Sequence, residues 1–148
     1  MKELRHEVEI AAPPERVWSV LVDFASYPDW NPFIRSIQGA CEAGSRLTVR
    51  IEPPGARGMT FKPTVLRLEH ARKLTWLGRV LIPGVFDGEH MFTIEQLDGG
   101  HSRLVQSERF RGVLVPVFAK TLTSTEHGFE AMNQALKERA EAAQPSPA

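Results

Sequence analysis

The sequence predicts an α+β domain in which one long C-terminal helix lies across a curved antiparallel sheet. Three observations carry this expectation. The chain opens on a period-two alternation, its middle is a run of strand-like segments cut by turn residues, and its final segment repeats apolar side chains at helical spacing. One helix against an antiparallel sheet is an α+β layering. A straight helix cannot seal a curved sheet along its whole length, so a groove or cavity between them is expected.

The first strand is "LRHEVEI", where Leu4, His6, Val8 and Ile10 share one face and Arg5, Glu7 and Glu9 the other. "APPERVWSVLVDF" then changes period. Pro13 and Pro14 suit a helix entrance, where a missing N–H costs nothing, and Glu15 complements the positive end of the dipole. Val17, Trp18, Leu21 and Val22 form its apolar face, and the helix is expected to stop near Phe24.

Six or so antiparallel strands follow. "IRSIQ" ends at Gly39, and "SRLTVRIEP" sets Leu47, Val49 and Ile51 against Thr48, Arg50 and Glu52 before the turn cluster "PPGARG". "MTFKPTVLRLEH" reads as one longer strand, with Pro63 implying an edge or a bulge. "RKLTWLGRV", "VFDGEHMFTIEQL" and "HSRLVQSERFRG" come next, separated by Pro83-Gly84 and by the hairpin signal Asp98-Gly99-Gly100. The closing helix runs from about Leu114 to Ala143, with Phe118, Leu122, Phe129, Met132 and Leu136 on one face. Gly128 in mid-helix costs about 1 kcal/mol against alanine, tolerable where the helix passes close to a neighbour. Residues 1–143 thus form one domain, and 144–148 read as a disordered tail.

Composition narrows the function classes. The chain of 148 residues balances 18 Lys and Arg against 18 Asp and Glu, so no global field draws in nucleic acid or an anionic surface. No basic patch interleaves with aromatics, and no run approaches a membrane span. The lone Cys41 has no disulfide partner in the chain and reads as a structural thiol, which suits a cytoplasmic location. Five histidines show no HExxH spacing, no phosphate-binding glycine pattern precedes a helix, and no Gly-x-Ser-x-Gly elbow occurs. Neither a metal nor another cofactor is expected.

The segments "VWSVLVDFASYPDWNPF", "FDGEHMF" and "ERFRG", in this order before a terminal helix, resemble the START-like, helix-grip superfamily and its polyketide cyclase/dehydrase-type branch. The resemblance covers about residues 3 to 141. It implies seven strands gripping the C-terminal helix, two short helices after the first strand, and an apolar or aromatic ligand in the cavity. The superfamily spans lipid carriers, hormone-binding proteins, aromatases/cyclases, ubiquinone-binding proteins and chaperone co-activators, so it implies architecture more firmly than chemistry. "DFASYPDWNPF" becomes the second short helix, about Tyr27 to Phe33, a flap near the cavity mouth capped by Asp23 or Ser26. Tyr27, Trp30 and Phe33 fall roughly on one side. They staple the flap to the terminal helix, or Trp30 also touches the ligand.

Strand parity then selects inward side chains. Leu74, Trp76 and Gly78 share a face; so do Phe86, Gly88, His90, Phe92 and Ile94; so do Leu104, Gln106, Glu108 and Phe110. Folding about the Gly99-Gly100 turn pairs His90 with Gln106 or Glu108. An imidazole and a carboxylate in an apolar cavity would need each other, a water or a ligand. The candidate binding residues are Trp30, Phe33, Trp76, Phe86, His90, Phe92, Gln106, Glu108, Phe110 and Phe129. The leading expectation is a monomeric or homodimeric module that binds an apolar, ring-containing small molecule or lipid. The alternative is a cyclase/dehydratase or aromatase-type enzyme with His90 as base and Glu108 as its partner.

Overall fold

A computed structural model describes residues 1–80 and 84–142. Residues 144–148, expected as a tail, and Pro83 of the expected Pro83-Gly84 turn lie outside the described residues. The strands are β1 (Lys2–Ile10), β2 (Ile34–Gln38), β3 (Thr48–Ile51), β4 (Met59–Phe61), β5 (Thr64–Glu69), β6 (Lys73–Val80), β7 (Phe86–Gln96) and β8 (Ser102–Arg111), and the helices α1 (Pro14–Val22), α2 (Tyr27–Trp30) and α3 (Ala119–Glu141). The larger sheet has the order β1-β8-β7-β6-β5, the smaller β2-β3-β4, and every pairing is antiparallel. This is the helix-grip arrangement: α3 lies on the concave side, packed chiefly against β1, α1 and β8.

The strand count departs from seven for a local reason. "MTFKPTVLRLEH" is two strands, because Lys62-Pro63 leaves the ladder between β4 and β5. Proline has no N–H to give a ladder. The sheets are still stitched around that break, by a bridge between Arg46 and Thr64 and by Gly44 and Leu47 N–H groups donating to the Val65 and Pro63 carbonyls.

Pro14 occupies the first helical position of α1, and Val17, Trp18, Val20 and Leu21 are its buried residues. Val22, expected on that face, is only partly buried. The flap is shorter than expected. Phe24–Ser26 makes one 3-10 turn and α2 ends at Trp30 rather than near Phe33. Neither Asp23 nor Ser26 caps it with a side chain; the Ser26 hydroxyl donates to the Asp23 carboxylate instead. Fully buried Asn31 ends the flap, its Oδ1 accepting from the Phe33 and Ile34 N–H groups at 2.9 and 2.8 Å. Burial drives the Tyr27 phenol far above its ordinary range, with Cys41 and Asp23 adding to the effect, so it remains a neutral donor to the Leu21 carbonyl. Burial, then Glu42, likewise raises the Cys41 thiol, which fits a structural role.

The closing helix begins at Ala119, since Val115–Phe118, containing Pro116, forms a 3-10 turn. Its buried face comprises Leu122, Thr125, Gly128, Phe129, Met132, Asn133, Leu136 and Ala140. The far end is tied to α1, where the Arg16 guanidinium donates to the Arg139 and Ala140 carbonyls. Glu141 accepts at 2.6 Å from both the Ala11 N–H and Lys137. Gly128 marks the closest approach: a Cβ there would overlap the ring of Phe33, which packs edge-on against Phe129.

Two expectations follow. Gly128→Ala should lower stability by about 1–3 kcal/mol through overpacking, although alanine is the better helix former by about 1 kcal/mol. Thermal unfolding checks the sign, and a stabilised variant would refute the close approach. The Ala11 N–H, and then Lys137, hold the Glu141 carboxyl below its ordinary value of 4.5. The unfolded chain therefore takes up this proton first as pH falls, and the contribution of Glu141 is present above pH 4.5 and lost below it. The urea midpoint of the wild type should exceed that of Glu141→Gln near pH 7, with the gap closing as pH drops through 4.

Candidate functional site

Register brings the inward residues of three strands together. Trp76 faces His90 and Gly78 faces Gly88 across β6–β7, while His90 faces Glu108 and Gly88 faces Phe110 across β7–β8. Gly78 leaves the sheet bare where neighbouring positions carry rings, while the Glu108 carboxylate takes up the space over Gly88. Above this gap lies a cavity of about 100 Å³. Its floor is Trp76, Gly78, Phe86, Gly88, His90, Glu108 and Phe110. The small sheet and the Pro63 break supply Ile34, Val49, Ile51, Met59, Phe61 and Pro63. Phe33 and the start of α3, with Phe118, Thr121, Leu122 and Thr125, close it. The half-buried members Met59, Phe61, Gly78, Phe86, Glu108, Phe118 and Thr121 lie towards its mouth.

The wall is apolar except at a few points. His90 is 4% exposed, stacked on Trp76 at 5.1 Å between centroids, with Phe92 and Phe129 at 4.7 and 5.1 Å. Its Nδ1 lies 3.1 Å from Glu108 Oε1 and its Nε2 2.9 Å from Gln106 Oε1. Gln106 Nε2 donates to Asn133 Oδ1 at 2.8 Å, and Asn133 Nδ2 reaches the His6 carbonyl at 3.1 Å. Glu108, His90, Gln106 and Asn133 thus form one polar chain from the cavity wall into α3 and β1. Gln106 and Asn133 are fully buried, so each bond saves a desolvated amide from going unmatched.

Six of the ten expected binding residues reach the cavity: Phe33, Trp76, Phe86, His90, Glu108 and Phe110. Phe92, Gln106 and Phe129 stand one layer behind, holding His90 in place. Trp30 is not in the wall; its ring meets Tyr27 edge-on at 5.2 Å within the flap. What the sequence reading passed over is the second half of the enclosure. Inward alternation at Val49 and Ile51 carried that signal. Nothing local marked Thr121 and Thr125, which enter through the packing of α3. Among the described residues no cluster of three His, Cys, Asp or Glu side chains is placed to hold a metal, and no helix is long and apolar enough to cross a membrane.

Comparison with known proteins agrees with this architecture. A family model described as polyketide cyclase / dehydrase and lipid transport matches residues 1–141. The chain belongs to that family. No curated protein sequence matches it. Among solved structures, the Zhui aromatase/cyclase from Streptomyces sp. R1128 is similar at 20% identity, with 95% of this chain and 93% of that one covered and a TM-score of 0.77. A START superfamily protein from Mycobacterium smegmatis is 24% identical, covering 94% and 97%, with a TM-score of 0.72. TTHA0849 from Thermus thermophilus is 18% identical, covering 97% and 100%, with a TM-score of 0.75. At these identities the likeness concerns the fold; within this cyclase/dehydrase and lipid-transport family, chemistry has to be argued from the cavity itself.

The polar chain makes a direct prediction. Gln106→Leu strands the Asn133 acceptor and His90 Nε2 together, and should cost several kcal/mol, since each buried orphan costs about 1–3 kcal/mol. Chemical denaturation measures it. A loss below about 1 kcal/mol would mean that water already satisfies these groups.

Proposed function

We propose that the chain binds a small, apolar, ring-containing molecule in the cavity between the sheet and α3. The observation that carries this reading is Gly78, which opens a gap in a surface otherwise covered by Trp76, Phe86, His90, Phe110 and, over Gly88, the Glu108 carboxylate. Protein interiors ordinarily fill such space. A cavity of about 100 Å³ matches one ring, or the end of a longer molecule leaving through the mouth. Removing apolar surface from water at roughly 25 cal/mol per Å² supplies the driving force. Family membership supports both this reading and an enzyme of the cyclase/dehydrase kind. The geometry favours binding, because a general base must meet the proton it removes, whereas both ring nitrogens of His90 are engaged within the protein. Cys41 without a partner cysteine adds support for a reducing, cytoplasmic setting.

Gly78→Leu provides the test. A Cβ at residue 78 would meet only the Pro63 side chain, at an ordinary 3.8 Å, so a side chain there can enter the cavity without strain. Millimolar toluene should raise the unfolding midpoint of the wild type, as a ligand of the folded state does. It should leave Gly78→Leu unmoved, while that variant itself stays as stable as the wild type or gains stability. A toluene response that survives in folded Gly78→Leu would place the binding elsewhere.

A further inference from the structure

The polar chain behind the cavity also determines what its carboxylate shows to a ligand. Asn133 Nδ2 lies 3.1 Å from the backbone carbonyl of His6, an atom that can only accept. That contact orients the amide of Asn133, so its Oδ1 faces Gln106 and Gln106 must donate, from Nε2 at 2.8 Å. Gln106 therefore turns Oε1 to His90 Nε2, 2.9 Å away, and this ring nitrogen carries a hydrogen. The other nitrogen, Nδ1, stands 3.1 Å from Glu108 Oε1. Two lone pairs would repel there, so a proton lies between them. On Nδ1 it makes an imidazolium–carboxylate pair; on Oε1 it makes a neutral imidazole and a carboxylic acid. Oε2 bears no hydrogen in either state. It is an acceptor only.

That oxygen lies over Gly88 on the cavity floor, where any Cβ would overlap it. Glu108 is the one carboxylate in the wall among the described residues. Thr125 spends its hydroxyl hydrogen on the Thr121 carbonyl, so it too turns a lone pair toward the space. Thr121, half-buried at the rim, is in reach of water.

Resting on the binding reading above, we infer that the cavity selects a small ring that brings its own hydrogen-bond donor, a hydroxyl or an N–H group. Such a ligand pairs with Glu108 Oε2. A ring of the same size with only a carbonyl or ether oxygen sets lone pair against lone pair, and a bare hydrocarbon buries Oε2 unmatched.

Four single-ring probes separate these cases: phenol, toluene, anisole and acetophenone, titrated into the wild-type protein and followed by amide shifts in NMR. Phenol should bind at least about tenfold more tightly than the other three, the scale of one hydrogen bond to a charged or acidic group. Transfer from water alone would favour toluene, so the expected order opposes simple hydrophobicity. Toluene, anisole or acetophenone binding as tightly as phenol would overturn the donor requirement while leaving the binding reading intact. Absence of saturable binding by all four would overturn the binding reading, and this inference with it. In Glu108→Leu the phenol-to-toluene affinity ratio should collapse towards one; an undiminished ratio would assign the preference to another group. Should that variant fail to fold, the nitrogen shifts of His90 in the wild type decide the proton logic: Nε2 must resonate as a protonated nitrogen, and a lone-pair signal there would overturn it.

Discussion

The ring of Phe33 rests on the backbone of α3 because residue 128 has no side chain. Much of the molecule depends on that contact. It seats the helix deep in the concave sheet, so that Leu122 and Thr125 roof the cavity. It places Asn133, further along the same helix, within reach of Gln106 and of β1. A helix held further out would widen the cavity and break the polar chain together. The weak helix propensity of glycine is offset by a contact that sets the spacing of every layer above it.

A row of buried amides is an expensive way to hold one histidine. An apolar core of the same volume would often be as stable or more so. What the polar residues add is direction. A backbone carbonyl at one end fixes which way each amide points, and the orientation propagates through the two amides and the imidazole to Glu108 at the cavity wall. Each bond in a low-dielectric interior is also strengthened by its neighbours. The stacking of Trp76 on His90 removes the remaining freedom of the ring.

Much of this was legible in the sequence wherever periodicity carried it. Alternation in β1, β7 and β8 assigned inward faces that burial bears out at Leu4, Ile10, His90, Phe92, Leu104, Gln106 and Phe110. The position of one hairpin turn narrows the partner of His90 to Gln106 or Glu108, and the register sets it opposite Glu108. The misses have physical causes too. In sequence Pro63 implies an edge or a bulge within one strand, whereas its missing donor divides the strand in two. The place of Trp30 in the flap suggests contact with a ligand, but three residues make nearly one helical turn and return its ring to Tyr27. Asn133 was invisible because a single polar residue on an apolar helical face has no periodic signature. Only the meeting of three distant elements gives it meaning.

The division of the sheet at Pro63 also bears on how the protein behaves in a crowded solution. An uninterrupted strand from Met59 to Glu69 would offer neighbouring chains a long row of backbone donors and acceptors, the usual starting point for edge-to-edge aggregation. The proline leaves a three-residue β4 and a six-residue β5 on either side of a position with no donor, and the loop at Gly44–Ser45 already occupies the start of β5. On the opposite border, side chains from α3 take up carbonyls of β1, Asn133 at His6 and Lys137 at Glu9. The same break that lets the small sheet close over the cavity thus makes the molecule a poor template for its own copies.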